Sequence, residues 1–114
     1  MITNVIGLKN YLHCDNVVLK SIIKKFIEES GAITRNIKKA CAEANWPLVR
    51  QDAHKMLSSV KIFEFSALVA LLEKIEIDAE KKTNIADIRQ NVEKLETEMD
   101  HLLPEMALTI EELT

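Results

Sequence analysis

The chain has 114 residues, of which 47% are hydrophobic, and its 15 basic and 18 acidic residues give a formal net charge of −3. This length suits one compact domain, so we expect residues 1–114 to form a single unit. The even spread of charge, without a basic tract, argues against nucleic-acid binding. No stretch approaches the roughly 18 consecutive apolar residues of a membrane span, and no signal-peptide pattern opens the chain. We therefore expect a cytoplasmic protein without membrane contact.

The composition favours helices. Only 2 Gly and 2 Pro occur, aromatic residues make up 4%, and Leu, Ile, Ala, Lys and Glu are abundant. An all-β domain would need more turn residues and β-branched alternation. In a reducing cytoplasm, Cys14 and Cys41 are expected to be small buried or half-buried hydrophobic residues rather than a disulfide.

The first half of the chain predicts a short helix and then a long one. Apolar residues recur at helical spacing over residues 3–13, and a break follows in which Asp15 is a candidate cap. From residue 16 an apolar face continues to residue 44. Gly31 interrupts this pattern only briefly, so we predict one long helix with a weak point.

The second half predicts three more helices. Trp46 and Pro47 mark the start of a helix that ends at Ile62 or Phe63, since proline is well tolerated in a first helical turn. Ser66 is a candidate cap for the next helix, which extends through Ile75.

The polar stretch 78–83 is expected to be a loop, and residues 84–113 a final helix. Pro104 should kink or end that helix, because proline removes a backbone donor and clashes with the preceding turn. Together, these elements predict an all-α fold: an antiparallel four-helix bundle with an additional short N-terminal helix.

His54 is the most informative residue of the sequence. At about 100° per residue, it lies roughly 100° from the axis of the apolar stripe of its helix. That stripe is formed by Trp46, Val49, Ala53, Met56, Leu57 and Val60. Arg50, Ser58 and Lys61 share the edge of His54, and Lys55 follows it directly.

This pattern suits a phosphorylated histidine. An imidazole near pH 7 can attack phosphorus without a separate base. Arg50, Lys55 or Lys61 could offset the charge of the phosphoryl group, while the small side chain of Ser58 leaves space for a partner.

From Asp15 to Glu76 the chain resembles the histidine-containing phosphotransfer (Hpt) domain of multistep His–Asp relays. The matching features are an apolar second helix, a turn before the active helix, an alanine–histidine–x–leucine-like start and a closing leucine–glutamate. In this chain they are Leu19, Ile22, Ile23 and Phe26; Asn45-Trp46; Ala53-His54 with Met56; and Leu72-Glu73.

Three positions depart from the family pattern. Leu57 replaces the usual lysine, Ser58 replaces a glycine, and Glu64 replaces a second glycine. The first change removes a standard partner of the phosphoryl group. Serine should partly keep the access that a docking protein needs, and Glu64 should mostly affect how the helix ends.

The resemblance implies a phosphorelay intermediary rather than a true enzyme, without kinase activity of its own. His54 would accept a phosphoryl group from a receiver-domain aspartate and pass it to another receiver. Arg50, Lys55, Ser58 and Lys61 would face the phosphoryl group or the receiver. No cofactor or metal of its own is expected; Mg²⁺ would reside on the receiver, and one bundle can stand alone as a monomer.

Other functions were weighed. The alternative is a non-catalytic helical interaction module, either a degenerate Hpt domain or an unrelated bundle, which the missing lysine at Leu57 favours. A single glutamate–x–x–histidine, Glu98 to His101, falls short of the two such motifs of di-iron bundles. His13-Cys14 lacks a second cluster at zinc spacing, so a zinc site is not expected.

Overall fold

The computed structural model describes residues 15–113 of the chain, and these form four helices and no strand. Helix α1 spans Asn16–Ala42, α2 spans Trp46–Ile62, α3 spans Ser66–Lys81 and α4 spans Ile85–Glu112. The predicted all-α class and its four main helices are confirmed. The additional short helix expected at residues 3–13 lies outside the described residues.

The four helices alternate in direction because three-residue links join them. Helix α1 packs on α2 and α4, and α3 packs on the same two neighbours, giving a bundle of 44 × 21 × 17 Å. Nδ2 of Asn16 at the start of α1 donates to the carbonyl of Leu113, just beyond the end of α4, at 3.3 Å. The first and last described helices are therefore antiparallel neighbours.

Two of the helix starts have side-chain caps, one of which was predicted from the sequence. The carboxylate of Asp15 accepts a hydrogen bond from the Val18 amide at 2.9 Å, as predicted. Asn45 accepts from the Leu48 amide at 3.4 Å, with Pro47 in the first turn of α2. The predicted cap at Ser66 is wrong: α3 begins at Ser66 itself, and no side chain caps it.

The third helix is longer than its polar residues suggest. The loop predicted at residues 78–83 is wrong over residues 78–81, because α3 continues to Lys81, whereas residues 82–83 do lie in the link before α4. Asp78 is buried there, and its Oδ1 accepts from Lys74 at 3.4 Å and from Asn84 at 3.3 Å. These bonds offset the cost of burying a polar group. Asp78 thus belongs to the helix rather than the loop.

The sequence allowed Pro104 either to kink or to end the last helix, and in the structure Pro104 does not end it. It lies inside α4, which continues to Glu112. Pro104 is exposed, and so is Asp100, the residue whose carbonyl loses its helical donor to the proline. Because this carbonyl is on the wet side of the helix, water can satisfy it.

Residues other than glycine make the three links between helices. Ala44, Glu64, Lys82 and Asn84 all have left-handed backbones, with φ of 55°, 57°, 52° and 53°. Glycine adopts this conformation without steric cost, whereas other residues are strained in it. The glycine that the structure describes, Gly31, lies instead in the interior of α1.

The core runs along the length of the bundle. Its largest fully buried side chains come from all four helices and from the α2–α3 link: Leu19, Ile23, Ile37, Met56, Phe63, Leu72, Ile75, Ile88, Leu95, Met99 and Met106. Near the end that holds the α2–α3 link, Phe26 and Phe63 pack with their ring centroids 4.8 Å apart, and Phe65 stacks on Phe63 at 5.7 Å. These rings fix where α2 ends and α3 begins.

Candidate functional site

His54 lies at the middle of α2, on the edge that the sequence predicts. Its side chain is 67% exposed, while its neighbour Ala53 is fully buried. The predicted stripe is buried as well, apart from Trp46, which is half-buried. The stripe holds the helix against the core and leaves the imidazole in solvent.

The imidazole of His54 is anchored by a carboxylate from the neighbouring helix. Its Nδ1 lies 2.8 Å from Oε1 of Glu76 in α3, and the Glu76 side chain is only 18% exposed. A carboxylate can only accept, so Nδ1 carries the proton in this contact. In the neutral ring, the free lone pair is then on Nε2, the nitrogen away from Glu76.

Glu76 was not among the site residues predicted from the sequence. Two features point to it once the link between α2 and α3 is known to be short. His54 lies ten residues before Glu64 and Glu76 twelve after it, so the two meet across antiparallel helices. Glu76 also borders the buried positions Leu72 and Ile75, much as His54 borders its own stripe. The error was to treat each helix separately.

The structure brings the four other predicted site residues onto one exposed surface, but not into contact with His54. Arg50, Lys55, Ser58 and Lys61 are all exposed. Among the described residues, no hydrogen bond or ion pair joins any of them to the imidazole, whose recorded partner is Glu76. Helical spacing places Arg50, Ser58 and Lys61 along the same edge, and Lys55 about 100° farther round.

The positions that depart from the Hpt pattern have distinct structural roles. Leu57, three residues after His54, is only 6% exposed and belongs to the core. A cation that the family places there is replaced by apolar packing between α2 and its neighbours. Ser58 is exposed, and its small side chain leaves space beside the imidazole. Glu64 takes the left-handed conformation that a glycine would favour, in the link directly after α2.

Other reactive groups in the described residues do not form a second site. Burial raises the pKa of the Cys41 thiol above its ordinary value of 9.0, against the opposing effect of Arg89. Cys41 is buried, as predicted, and is a poor nucleophile near neutral pH. Glu98 and His101 are both exposed on α4, facing away from the bundle core.

Across residues 15–113, no group of three or more His, Cys, Asp or Glu side chains is arranged to hold a metal ion. Within the same range, no helix is both long and apolar enough to span a bilayer.

The chain was compared with family models, curated proteins and solved structures. A family model described as the Hpt domain matches residues 21–105, well over half of the chain, and this range contains both His54 and Glu76. Neither the curated proteins nor the solved structures give a match. The matched range, the helical bundle and the exposed histidine agree, and the chain belongs to the Hpt domain family, whose members transfer phosphoryl groups in His–Asp phosphorelays and interact with receiver domains.

Proposed function

We propose that this protein is a phosphorelay intermediary in which Nε2 of His54 accepts a phosphoryl group from a receiver-domain aspartate and passes it to a second receiver. The observation that carries the proposal is the contact between Nδ1 of His54 and Glu76 on an otherwise exposed ring. Because the contact occupies Nδ1, Nε2 is the ring nitrogen left to react, on a side chain that is 67% exposed within an Hpt-family bundle.

The proposed transfer needs little from this chain. The lone pair of Nε2 attacks phosphorus, a P–N bond forms, and the P–O bond of the aspartyl phosphate breaks with its electron pair leaving on the aspartate. The ring becomes positively charged while Nδ1 keeps its proton. The Glu76 carboxylate at 2.8 Å stabilises that charge and fixes the ring orientation, as the buried aspartate does in a serine-protease triad.

The exposed cations would act on the other side of the ring. Arg50 and Lys61 share the edge of His54, and Lys55 can reach around the helix on its flexible stem. Charge-assisted contacts from these groups to phosphoryl oxygens would offset the missing lysine at position 57. The Mg²⁺ expected on the receiver would neutralise charge on the same oxygens during transfer.

The test is transfer from a phosphorylated receiver in the presence of Mg²⁺. Wild-type protein is expected to gain phosphate that is labile in acid and stable in base, and His54→Gln should gain none. His101→Gln is the matched control, because His101 is also exposed on a helix but lies on α4. Equal labelling of wild type and His54→Gln would refute the proposal.

A second candidate function is a non-catalytic interaction module that binds receivers without being phosphorylated. The burial of Leu57, which leaves no cation three residues after His54, favours it. This alternative predicts that His54→Gln leaves both receiver affinity and cellular phenotype unchanged. A lost phenotype with retained affinity would exclude it. The cytoplasmic location and the monomeric state remain predictions, which fractionation and sedimentation would check.

A further inference from the structure

Two edges of opposite charge flank the His54–Glu76 contact. On α2, Arg50 lies four residues before His54 and Lys61 seven residues after it, and both are exposed. On α3, Glu73 and Glu80 lie three residues before and four after Glu76, and both are exposed too. Because α2 and α3 are antiparallel, a basic edge that includes His54 and an acidic edge that includes Glu76 run side by side, and the His54–Glu76 contact joins them.

These charges are not used inside the protein. The ion pairs recorded among the described residues are Lys25–Glu29, Lys38–Glu96, His54–Glu76 and Lys74–Asp78. Within residues 15–113, none of Arg50, Lys61, Glu73 and Glu80 has an oppositely charged group within 4.0 Å. The four charges therefore remain available to a partner.

Exposed apolar side chains accompany the charged edges. Ile62, at the end of α2, is 54% exposed, and Ile77, next to Glu76 on α3, is 47% exposed. Single exposed apolar residues are common on protein surfaces, so these two do not by themselves identify a docking surface. Apolar side chains add contact area but do not determine how a partner is oriented. The two charged edges can determine that orientation.

We propose that this surface, formed by Arg50, Lys61, Glu73 and Glu80 around His54, selects receivers by the polarity of their docking face. The preferred partner is a phosphorylated receiver whose face is acidic where it meets α2 and basic where it meets α3. This inference rests on the proposed function, since it names the partner of the same site. A receiver that is acidic throughout would place carboxylates against Glu73 and Glu80, which slows association.

The experiment compares two purified receiver domains of known structure, both phosphorylated by acetyl phosphate with Mg²⁺. One has a docking face with an acidic and a basic half, and the other has a face that is acidic throughout. Wild-type protein should accept phosphate at least about tenfold faster from the first receiver at low salt, and this ratio should shrink as salt is raised.

Charge reversal locates the effect. Glu73→Lys with Glu80→Lys should reverse the preference between the two receivers. Glu98→Lys with Glu105→Lys, on exposed positions of α4, makes the same change in net charge and should keep the wild-type preference. The inference is overturned if both double variants shift the preference alike, or if neither shifts it. Circular dichroism confirms that the variants are folded.

Two further readouts separate this inference from the proposed function. Phosphoramidate donates its phosphoryl group to imidazole directly, with loss of ammonia, and should label the wild-type protein without any receiver. Failure to label wild type would overturn the proposed function itself. Binding of the two receivers to a His54→Gln background requires no transfer. Equal affinity for both receivers there would overturn the charge selection alone.

Discussion

Nδ1 of His54 lies 2.8 Å from Oε1 of Glu76, and this contact joins the middle of α2 to α3 across 22 residues of sequence. The side chain of His54 is 67% exposed and that of Glu76 is 18% exposed. The carboxylate is therefore largely shielded from solvent, whereas the imidazole is accessible to it. A sheltered carboxylate orients the ring better than a freely rotating surface group would, because packing restricts its rotamers.

Removing the carboxylate should slow phosphorylation without removing the acceptor. Glu76→Gln keeps an oxygen that can accept from Nδ1 but loses the negative charge, and we expect about a tenfold slower reaction with phosphoramidate. Glu76→Ala loses both and should react roughly 10–100-fold more slowly. Glu98→Gln, exposed on α4, serves as the control and should react at the wild-type rate. Unchanged rates in both Glu76 variants would show that the contact has no role in catalysis.

Restoring the family lysine at position 57 should lower the stability of the fold and raise the rate of phosphoryl transfer. Leu57 is 6% exposed, so Leu57→Lys removes core packing and should cost about 1–3 kcal/mol of unfolding free energy, even if the new chain extends to the surface. The added cation beside His54 should raise the rate of transfer from a receiver roughly tenfold, which corresponds to ~1.4 kcal/mol. Urea unfolding and transfer assays measure the two effects.

The apolar substitution Leu57→Met is the control for that experiment. It keeps side-chain volume and charge, so both the stability and the transfer rate should stay close to wild type. If Leu57→Lys left the transfer rate at the wild-type value, the existing cations would already supply what the family lysine provides.

Glycine at the first link should stabilise the fold. Ala44 is exposed and has φ of 55°, a conformation that costs residues other than glycine roughly 1–2 kcal/mol. Ala44→Gly is therefore expected to raise the unfolding free energy by about 1 kcal/mol, less the entropy cost of glycine in the unfolded chain. Ala42→Gly, two residues earlier in the last turn of α1, should instead lower it, because the residue there is helical. Thermal unfolding distinguishes the two signs.

The opposite substitution should help in the middle of α1. A Cβ at Gly31 would lie 3.5 Å from the Arg35 guanidinium and 3.6 Å from Leu103 Cδ1, which are ordinary contact distances. Gly31→Ala is expected to add about 0.5–1 kcal/mol of stability through helix propensity and apolar contact. Gly31→Leu should be destabilising, since the same neighbours leave no room for a longer chain. A stability loss in Gly31→Ala on urea unfolding would contradict the packing at this position.

Local patterns predicted much of the fold. The stripe along α2 could be located from spacing alone, since each helix buries one face. Errors arose where tertiary contacts compensate for a local cost. Asp78 was assigned to a loop because it is polar, but inside the helix its Oδ1 accepts from Lys74 and Asn84, and the Lys74 ammonium lies 3.3 Å from its Oδ2. The final helix predicted over residues 84–113 is confirmed, and Pro104 lies inside it on an exposed side instead of ending it.

The site was half predictable for the same reason. The edge position of His54 follows from the period of one helix, and its exposure agrees with that reasoning. The position of Glu76 next to His54 depends on how α2 and α3 pack against each other. The helical period of α3 alone does not give that register.

The most direct test of the account is where the phosphoryl group goes. Treat the ¹⁵N-labelled protein with phosphoramidate and assign the phosphorylated nitrogen by ³¹P and ¹⁵N NMR. One phosphohistidine is expected, at Nε2 of His54. It should be absent from His54→Gln and present in His101→Gln. A phosphoryl group on Nδ1 or on another residue of the wild-type protein would contradict this assignment. So would the absence of any phosphorylation.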